Sequence, residues 1–234
     1  MDRITRKALK KDAFAEEVGR TVTFIEKHRR TAAWCAGAVL LALILGVAWR
    51  YYSRHQHQLR QQELAEALRI HNASVGPEPG NPNLLTFPTI AERQKAAIKA
   101  FQTLAAKYPG TEEGLIARYY LGTIYADQGK MGEAIKAFQE VAASGHEDFA
   151  SLAKFALADA YAQQGKLADG EKLLRELIER PTMLVSKEQA TISLARLLAR
   201  SKPQEARKLL EPLRTQPGAV GRVALTALSE IATP

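Results

Sequence analysis

The sequence predicts an all-α protein in which an N-terminal transmembrane helix is followed by a solenoid of helical repeats. The first observation behind this prediction is an uncharged run of nineteen residues at positions 31–49, which as a helix is long enough to cross a bilayer. The second is an internal repeat: residues 121–138 recur as residues 157–174, with seven of the eighteen positions identical. Self-similarity at a period in the thirties is typical of stacked helical pairs.

Composition and charge restrict the functional classes. The chain has 234 residues, of which 46% are hydrophobic and 25% charged, and this is an ordinary globular composition. Its net charge is +8; residues 1–30 hold nine Lys or Arg against five Asp or Glu, whereas residues 91–234 hold twenty against seventeen. Because the C-terminal part has no basic stripe, we predict no nucleic-acid partner.

The sequence offers little for metal or cofactor binding. Cys35 is the single cysteine of the chain and so cannot form an intramolecular disulfide. His55 and His57 are two positions apart, which places them on different faces of a helix without a third ligand nearby. We therefore predict neither a metal nor a cofactor.

Residues 1–30 are predicted to form a basic cytoplasmic segment. Apolar residues recur near helical spacing within it: Leu9, Phe14, Val18, Val22 and Ile25. Charged residues occupy the remaining face of such a helix. The segment is therefore either an amphipathic helix lying on the inner leaflet or a short solvated helix.

Residues 31–52 are predicted to form a signal anchor. Trp34 lies near one end of the apolar run, and Trp49, Tyr51 and Tyr52 lie near the other, where amphipathic rings prefer the lipid headgroups. A buried core helix and a cleaved signal peptide are the alternatives. A soluble core helix rarely lacks a polar face over nineteen residues, and the large aromatic residues after the run make a poor cleavage site.

The basic residues that flank the apolar run predict its orientation. Lys27, Arg29 and Arg30 adjoin its N-terminal side, with six further basic residues upstream, whereas fewer lie close on the other side, among them Arg50 and Arg54. The positive-inside rule therefore places the N-terminus in the cytoplasm and the large C-terminal part outside it. The alternative is an inverted topology, with the repeats in the cytosol.

Residues 53–90 are predicted to hold a stalk helix followed by a loop. No proline occurs before Pro77, so one helix can continue from the membrane to about Ala73. Four prolines and two glycines then fall within residues 75–90. This density of helix-breaking residues predicts a loop.

Residues 91–234 are predicted to form the repeat domain, with a first repeat helix from about residue 61. The best copy, residues 115–148, places its patterned residues on two helices: Leu121, Gly122 and Tyr125 on the first, and Ala134 and Phe138 on the second. The small residues let the two helices approach closely, and the rings supply apolar area that each pair shares with its neighbours. A lone pair cannot bury enough apolar surface, whereas stacked copies can.

This spacing resembles the tetratricopeptide repeat. A second copy, residues 151–185, carries Leu157, Ala158, Tyr161, Gly165, Gly170 and Leu174 at equivalent places. Gly170 replaces an expected alanine, which we expect to cost little in packing but some helix propensity. Fainter copies flank these two, and residues 219–231 are expected to form a closing helix, so the resemblance covers about residues 61–231.

Nothing in the repeats resembles an active site, and we predict that the protein is not an enzyme and takes no small-molecule substrate. The sequence has no Gly-rich phosphate loop, no H-E-x-x-H and no G-x-S-x-G. Two pairs of neighbouring acids, Glu112 with Glu113 and Glu147 with Asp148, come at helix starts. We expect the helix dipole to explain them.

The resemblance implies that partners bind along the first helix of each pair. The family's groove positions correspond to Ile116, Tyr119, Thr123 and Asp127 in the best copy, to Leu152, Phe155, Asp159 and Gln163 in the second, and to Gln189, Ile192 and Arg196 in the fourth. Tyr119 and Phe155 are the expected peptide contacts, because rigid aromatic residues dominate such interfaces. The alternative is that either ring packs on its own helix.

The Lys and Asn that clamp a peptide carboxylate in cochaperone-type repeats are absent here. Tyr119 with Thr123, and Phe155 with Asp159, occupy those places. The resemblance therefore does not imply capture of a C-terminal carboxylate.

The order of segments resembles the bacterial ancillary subunit of the SecYEG translocon, which has a cytoplasmic N-terminus, one signal anchor and a repeat domain beyond the membrane. This resemblance implies a single-pass protein of the bacterial inner membrane with a periplasmic repeat domain. The partners it implies are proteins: Sec translocon subunits, periplasmic chaperones or exported clients. The alternative is a tetratricopeptide adaptor in cell-envelope assembly, cell division or cytochrome maturation.

Overall fold

The computed structural model describes residues 29–76 and 85–232 of the chain. The predicted amphipathic segment at residues 9–25 lies outside the described residues, and so does the central part of the predicted loop, residues 77–84. Within the described ranges the chain forms nine helices and one short pair of strands.

The helices follow one another with short connections. They are α1 (Arg29–His71), α2 (Ile90–Lys107), α3 (Glu112–Asp127), α4 (Met131–Ala142), α5 (Glu147–Gln163), α6 (Leu167–Glu179), α7 (Lys187–Leu198), α8 (Pro203–Arg214) and α9 (Ala219–Ala232). Strands β1 (Ser74–Val75) and β2 (Thr86–Phe87) pair in parallel between α1 and α2. The prediction of one helix from the apolar run to about Ala73 is confirmed, because α1 ends at His71.

The chain divides into two compact units, Met1–Leu59 and Arg60–Pro234. In the first unit, α1 exposes its apolar side chains: Trp34 is 81% exposed, and no part of the most apolar window of the helix is buried. A core helix would bury these side chains. Among the described residues, α1 is the one helix that is long and apolar enough to cross a membrane.

The second unit is a stack of helix pairs, as predicted. Each helix from α2 to α8 contacts the next helix along the chain. The pairs are α3 with α4, α5 with α6, and α7 with α8; the end of α1 pairs with α2, since Leu64 and Ala67 share a core cluster with Ala97 and Phe101. The predicted closing helix is α9, whose Ala224 and Ala227 are buried in the core of the last pairs.

The core is continuous from one pair to the next because each cluster draws on several helices. The first cluster joins α1, α2 and α3, the second joins α3, α4 and α5, and the third joins α5 to α9. No pair in the stack therefore has a core of its own. This arrangement is the physical reason for the sequence repetition, since each copy buries its apolar face against the next one.

The repeated Gln-Gly-Lys motif forms the turn inside each of the two central pairs. Gly129 has a φ angle of 72° and Gly165 one of 75°, which lie in the left-handed region that favours glycine. The N–H of the following lysine donates to the carbonyl of Tyr125 at 2.8 Å in one pair and of Tyr161 at 2.8 Å in the other. These bonds close each first helix with a Schellman motif and turn the chain into the second helix.

In each of the two central pairs, one helix carries a glycine and the other an alanine at the point where the two helices cross. The glycine is on the first helix in one pair and on the second helix in the other. Gly122 faces Phe138, and a Cβ atom at Gly122 would lie 2.5 Å from the Phe138 ring. In the next pair the glycine is on the second helix: a Cβ at Gly170 would lie 2.9 Å from the carbonyl oxygen of Ala158. This corrects our expectation for Gly170, because an alanine there would press on the backbone of α5.

The environment of Glu113 also differs from the one that we expected from the sequence. It lies in the first turn of α3, whose N-cap is Thr111, but its side chain is only 1% exposed. Its carboxylate accepts hydrogen bonds from Arg60 Nε at 3.1 Å and from Gln61 Nε2 at 3.1 Å. Glu113 therefore joins α3 to the end of α1 through an ion pair whose carboxylate is buried and whose guanidinium is partly exposed, a role that the helix dipole does not explain.

Candidate functional site

The first helices of the pairs, α3, α5 and α7, carry the predicted groove residues. Besides their sequential contacts, α3 contacts α5, and α7 contacts α9. First helices that neighbour each other in this way line the concave surface of a helical-repeat stack. We call this surface the first-helix surface.

On α3, three of the four predicted residues already make contacts within the fold. Ile116 is half-buried against the core cluster of α1 to α3. The ring centroid of Tyr119 lies 5.5 Å from that of Phe138 on α4, and burial raises the pKa of the Tyr119 hydroxyl. Thr123 Oγ1 donates to the carbonyl of Tyr120 at 2.8 Å, whereas Asp127 is exposed. Tyr119 thus packs on the second helix of its own pair.

On α5, two predicted residues are half-buried and two are exposed. Leu152 and Phe155 pack at the edge of the core cluster that extends to α9. Asp159 and Gln163 are exposed, and Gln163 Nε2 donates to Asp159 Oδ2 at 2.9 Å. The α5 surface therefore combines an apolar part with a polar end.

On α7, the three predicted residues have different environments. Gln189 is exposed, and its backbone N–H donates to the N-cap hydroxyl of Ser186 at 3.1 Å. Arg196 is exposed, with its Nε 3.9 Å from a carboxylate oxygen of Glu230. Ile192 is only 7% exposed and belongs to the core. This placement corrects the expectation for Ile192, whose side chain is not available to a partner.

Three of the predicted residues from two repeats meet at one open cavity. Phe155 and Asp159 of α5 and Arg196 of α7 line a cavity of about 310 Å³. The other lining residues are Ala158, Ala162, Leu174, Ser193 and Leu197. Sequence reasoning missed Ser193, although its position three residues before Arg196 places both on one helix face. Leu174 was noted as a repeat position but not as part of a site.

A group of aromatic rings lies beside α3 and includes two residues that sequence reasoning missed. Tyr120 stacks on Phe101 with ring centroids 5.2 Å apart and an interplanar angle of 9°. The ring centroid of His71, the last residue of α1, lies 5.3 Å from that of Tyr120 and 5.9 Å from that of Phe101. Burial lowers the pKa of His71, the positive charge of Arg93 lowers it further, and Asp127 opposes the shift.

The environment of His71 predicts a pH dependence of stability. Because the pKa of His71 is lower in the folded chain than in the unfolded one, the unfolded chain binds the proton more readily, and stability falls as the pH drops through about 6.5. We expect His71→Gln to reduce the loss of thermal stability between about pH 7.5 and pH 5.5. The matched control is His146→Gln, since His146 is exposed. Equal pH profiles for both variants would contradict the assignment.

The described residues contain no cluster that could hold a metal ion, since no three His, Cys, Asp or Glu side chains come together among residues 29–76 and 85–232. The first-helix surface carries half-buried rings, the cavity of about 310 Å³ and exposed charges of both signs. Such a surface can contact a polypeptide through apolar burial and hydrogen bonds.

Comparisons with known proteins agree with this architecture. The profile of the tetratricopeptide repeat-like domain family matches residues 28–180. A crystal structure described as a putative kinesin light chain from Podosopora anserina, with nearly identical TPR-like repeats, superposes with a TM-score of 0.54. It shares 16% identity, over 73% of this chain and 84% of that one, and a variant of the same protein with one substitution matches equally. Among curated proteins no match was found.

Proposed function

Because this chain belongs to the tetratricopeptide repeat-like domain family, we propose that it is a membrane-anchored protein-interaction module whose partners bind along the first-helix surface. Folds of this kind typically serve as scaffolds for protein binding. The observation that carries the proposal is the open cavity at which Phe155, Asp159 and Arg196 meet. Residues of two successive repeats come together there on a surface that the core leaves accessible.

The membrane anchor in this proposal is residues 31–52. Its support is the exposed apolar surface of α1, including Trp34 and Trp49 near the two ends of the uncharged run. Residues 1–30 form the cytoplasmic segment, residues 53–90 the stalk and loop, and residues 91–234 the main part of the repeat domain. The excess of basic residues before the run supports an orientation with the repeats outside the cytoplasm.

Replacing Leu43 with arginine is expected to impair membrane integration. Leu43 lies near the middle of the uncharged run and is exposed, and a charge at the bilayer centre opposes insertion. The measurement is the fraction of full-length protein that stays in the membrane pellet after alkaline washing. The matched control is Ala65→Arg, at an exposed position of α1 beyond the run, which is expected to leave that fraction unchanged. Equal retention of both variants would argue against an anchor.

Protease protection tests the orientation. In intact spheroplasts, external protease is expected to digest the repeat domain and to leave the N-terminal segment protected. Digestion of the repeat domain only after the membrane is broken would place the repeats in the cytosol and overturn the periplasmic assignment.

The partner system that we propose is the Sec translocon and the proteins that leave it. The order of segments supports this proposal, because a basic cytoplasmic segment, one anchor and a repeat domain beyond the membrane would hold a binding surface where exported chains emerge. Purification of the full chain from mild detergent extracts is expected to recover translocon subunits. Their consistent absence, with one stoichiometric envelope-assembly complex in their place, would favour an adaptor in cell division, envelope assembly or cytochrome maturation.

A further inference from the structure

We propose that a cleft between α2 and α4 binds one aliphatic side chain of leucine size, carried by an amphipathic helix of a partner protein. We call it the second-helix cleft, because α2 and α4 are the second helices of their pairs. It shares no lining residue with the cavity on the first-helix surface. The inference therefore goes beyond the proposed function and does not rest on it.

The second-helix cleft has mainly small apolar walls. Three helices contribute apolar surface to its lining, through Ala105 and Ala106 of α2, Leu121 and Tyr125 of α3, and Ala137 of α4. Its volume of about 350 Å³ is at the small end of the range of ligand pockets, about 300–1,000 Å³. It therefore suits a single side chain, and the transfer of an aliphatic side chain from water to these walls favours binding.

Ala137 leaves open a place that leucine fills in the next two repeats. Leu173 and Leu209 follow Ala137 at successive intervals of 36 positions. Leu173 packs against the second and third core clusters, and Leu209 packs against the third. Ala137 has no side chain beyond its Cβ and cannot reach in this way. The cleft thus lies where this repeat lacks a leucine, so we expect a leucine side chain from outside to fit it.

The polar side chains around the cleft favour a helical partner over an extended one. Gln102 Nε2 donates to Tyr125 Oη at 3.0 Å, and Arg118 donates to Glu140. Because these groups bond to each other, they leave few partners for the free N–H and C=O groups of an extended chain. A helix satisfies its backbone groups internally and can still insert one apolar side chain.

The rim of the cleft carries one open charge of each sign. Glu133 and Lys136 line the cleft, are exposed, and lie about one turn apart on α4. Neither forms an ion pair with another residue in the described part of the chain. A complementary helix carries a basic residue opposite Glu133 and an acidic one opposite Lys136. Such exposed pairs add little affinity, but they select the direction in which the helix lies.

The test uses three capped, labelled peptides of about twenty residues composed of Ala, Glu and Lys, with Glu and Lys four positions apart to favour a helix. The first has one central Leu, the second has Ala in its place, and the third keeps Leu between two prolines, which break the helix. Their binding to the full chain in lipid nanodiscs is followed by fluorescence anisotropy.

The Leu peptide is expected to bind about tenfold tighter than the Ala peptide, because its larger aliphatic side chain is buried. The proline peptide is expected to bind no tighter than the Ala peptide. Equal affinities for the Leu and Ala peptides would overturn the proposal. Equal affinities for the Leu and proline peptides would overturn the assignment of a helical partner.

Variants that fill the cleft test its position and shape. Ala137→Leu gives this repeat the leucine that it lacks, and Ala106→Leu fills the cleft from α2. Both are expected to reduce the preference for Leu to near unity, whereas Ala168→Leu, at an exposed position of α6, is expected to keep it. A preference that survives both filling variants would show that the side chain binds elsewhere, and would overturn the proposal.

The stability of Ala137→Leu is a second readout that needs no partner. Because the new side chain fills a cleft of its own chain, we expect the midpoint of thermal unfolding, followed by circular dichroism, to rise by about 2–4 °C. A lower midpoint would show that the cleft does not admit a leucine, and would also overturn the proposal.

Light scattering of the full chain in detergent distinguishes a partner protein from a second copy. The proposal expects the same mass for the natural chain and for Ala137→Leu. A dimer that this substitution dissociates would assign the cleft to self-association and overturn the assignment to a partner. None of these failures affects the proposed function, which crosslinking at Phe155 of the first-helix surface tests separately.

Discussion

Replacing Arg60 with methionine is expected to lower the free energy of unfolding of the repeat domain by about 3–5 kcal/mol, the usual result of removing the cation that is paired with a buried carboxylate. Glu113 is 1% exposed and accepts a hydrogen bond from Arg60 Nε at 3.1 Å. Methionine keeps much of the length and apolar volume of the side chain but removes the guanidinium. The buried carboxylate then loses this cation.

The reverse substitution, Glu113→Gln, is expected to cost less. The Arg60 side chain is 22% exposed, so its charge can still reach water, whereas Glu113 cannot. The double variant Arg60→Met with Glu113→Gln is expected to recover part of the loss, because no buried charge remains. Urea unfolding of the full chain in detergent, followed by circular dichroism, measures all three.

The control for this series is Arg69→Met, which lies on the same helix. Arg69 pairs with Glu66 on the surface, with both side chains more than half exposed, and we expect little change in stability. Equal losses of stability in the Arg60 and Arg69 variants would show that the pair of Arg60 and Glu113 contributes no more than a surface ion pair. Strictly additive losses in the double variant would show that the two side chains do not interact energetically.

Replacing Phe138 with alanine is the second large expected loss, about 3–5 kcal/mol in the free energy of unfolding. Phe138 is 2% exposed and belongs to the cluster that joins α3, α4 and α5. Its ring also lies directly over Gly122, where an added Cβ would be 2.5 Å from the ring. Gly122→Ala alone is therefore expected to cost about 1–3 kcal/mol through overpacking.

The combination of these two substitutions tests the contact itself. In the double variant the added methyl group of Gly122→Ala occupies space that the ring has left, so the loss is expected to be smaller than the sum of the single losses. Gly132→Ala is the matched control, because no atom lies within 4 Å of a Cβ there, and it is expected to stabilise α4 slightly. Strictly additive losses would contradict the close crossing of α3 and α4.

The repeat architecture could be predicted because its signals are local. The spacing of Leu121, Gly122 and Tyr125 marks one helix, and the left-handed glycine at Gly129 marks its end. The uncharged run can also be found from the sequence, because the length of helix that a transmembrane span needs follows from the thickness of the bilayer. Each of these features depends on a few neighbouring residues, so one sequence suffices to find it.

The rest depends on contacts between distant residues. Arg60 and Glu113 are 53 positions apart, and nothing near either residue indicates the other. The expectation that Tyr119 and Phe155 behave alike followed from their equivalent positions, but their environments differ because Phe138 is replaced by Leu174 in the next repeat. Ile192 fits the groove pattern and yet is buried. A repeat pattern assigns positions to helix faces but does not say which of them a neighbour covers.

The measurement that tests the central claim most directly is site-specific photo-crosslinking of the full chain in native membranes. A photoreactive phenylalanine analogue is placed at Phe155, at Tyr119, and at Lys208, an exposed control position on the second helix α8. If partners bind along the first-helix surface, position 155 captures defined proteins, which mass spectrometry identifies, and position 208 does not. Capture from position 208 alone, or equal capture from positions 155 and 208, would contradict the account.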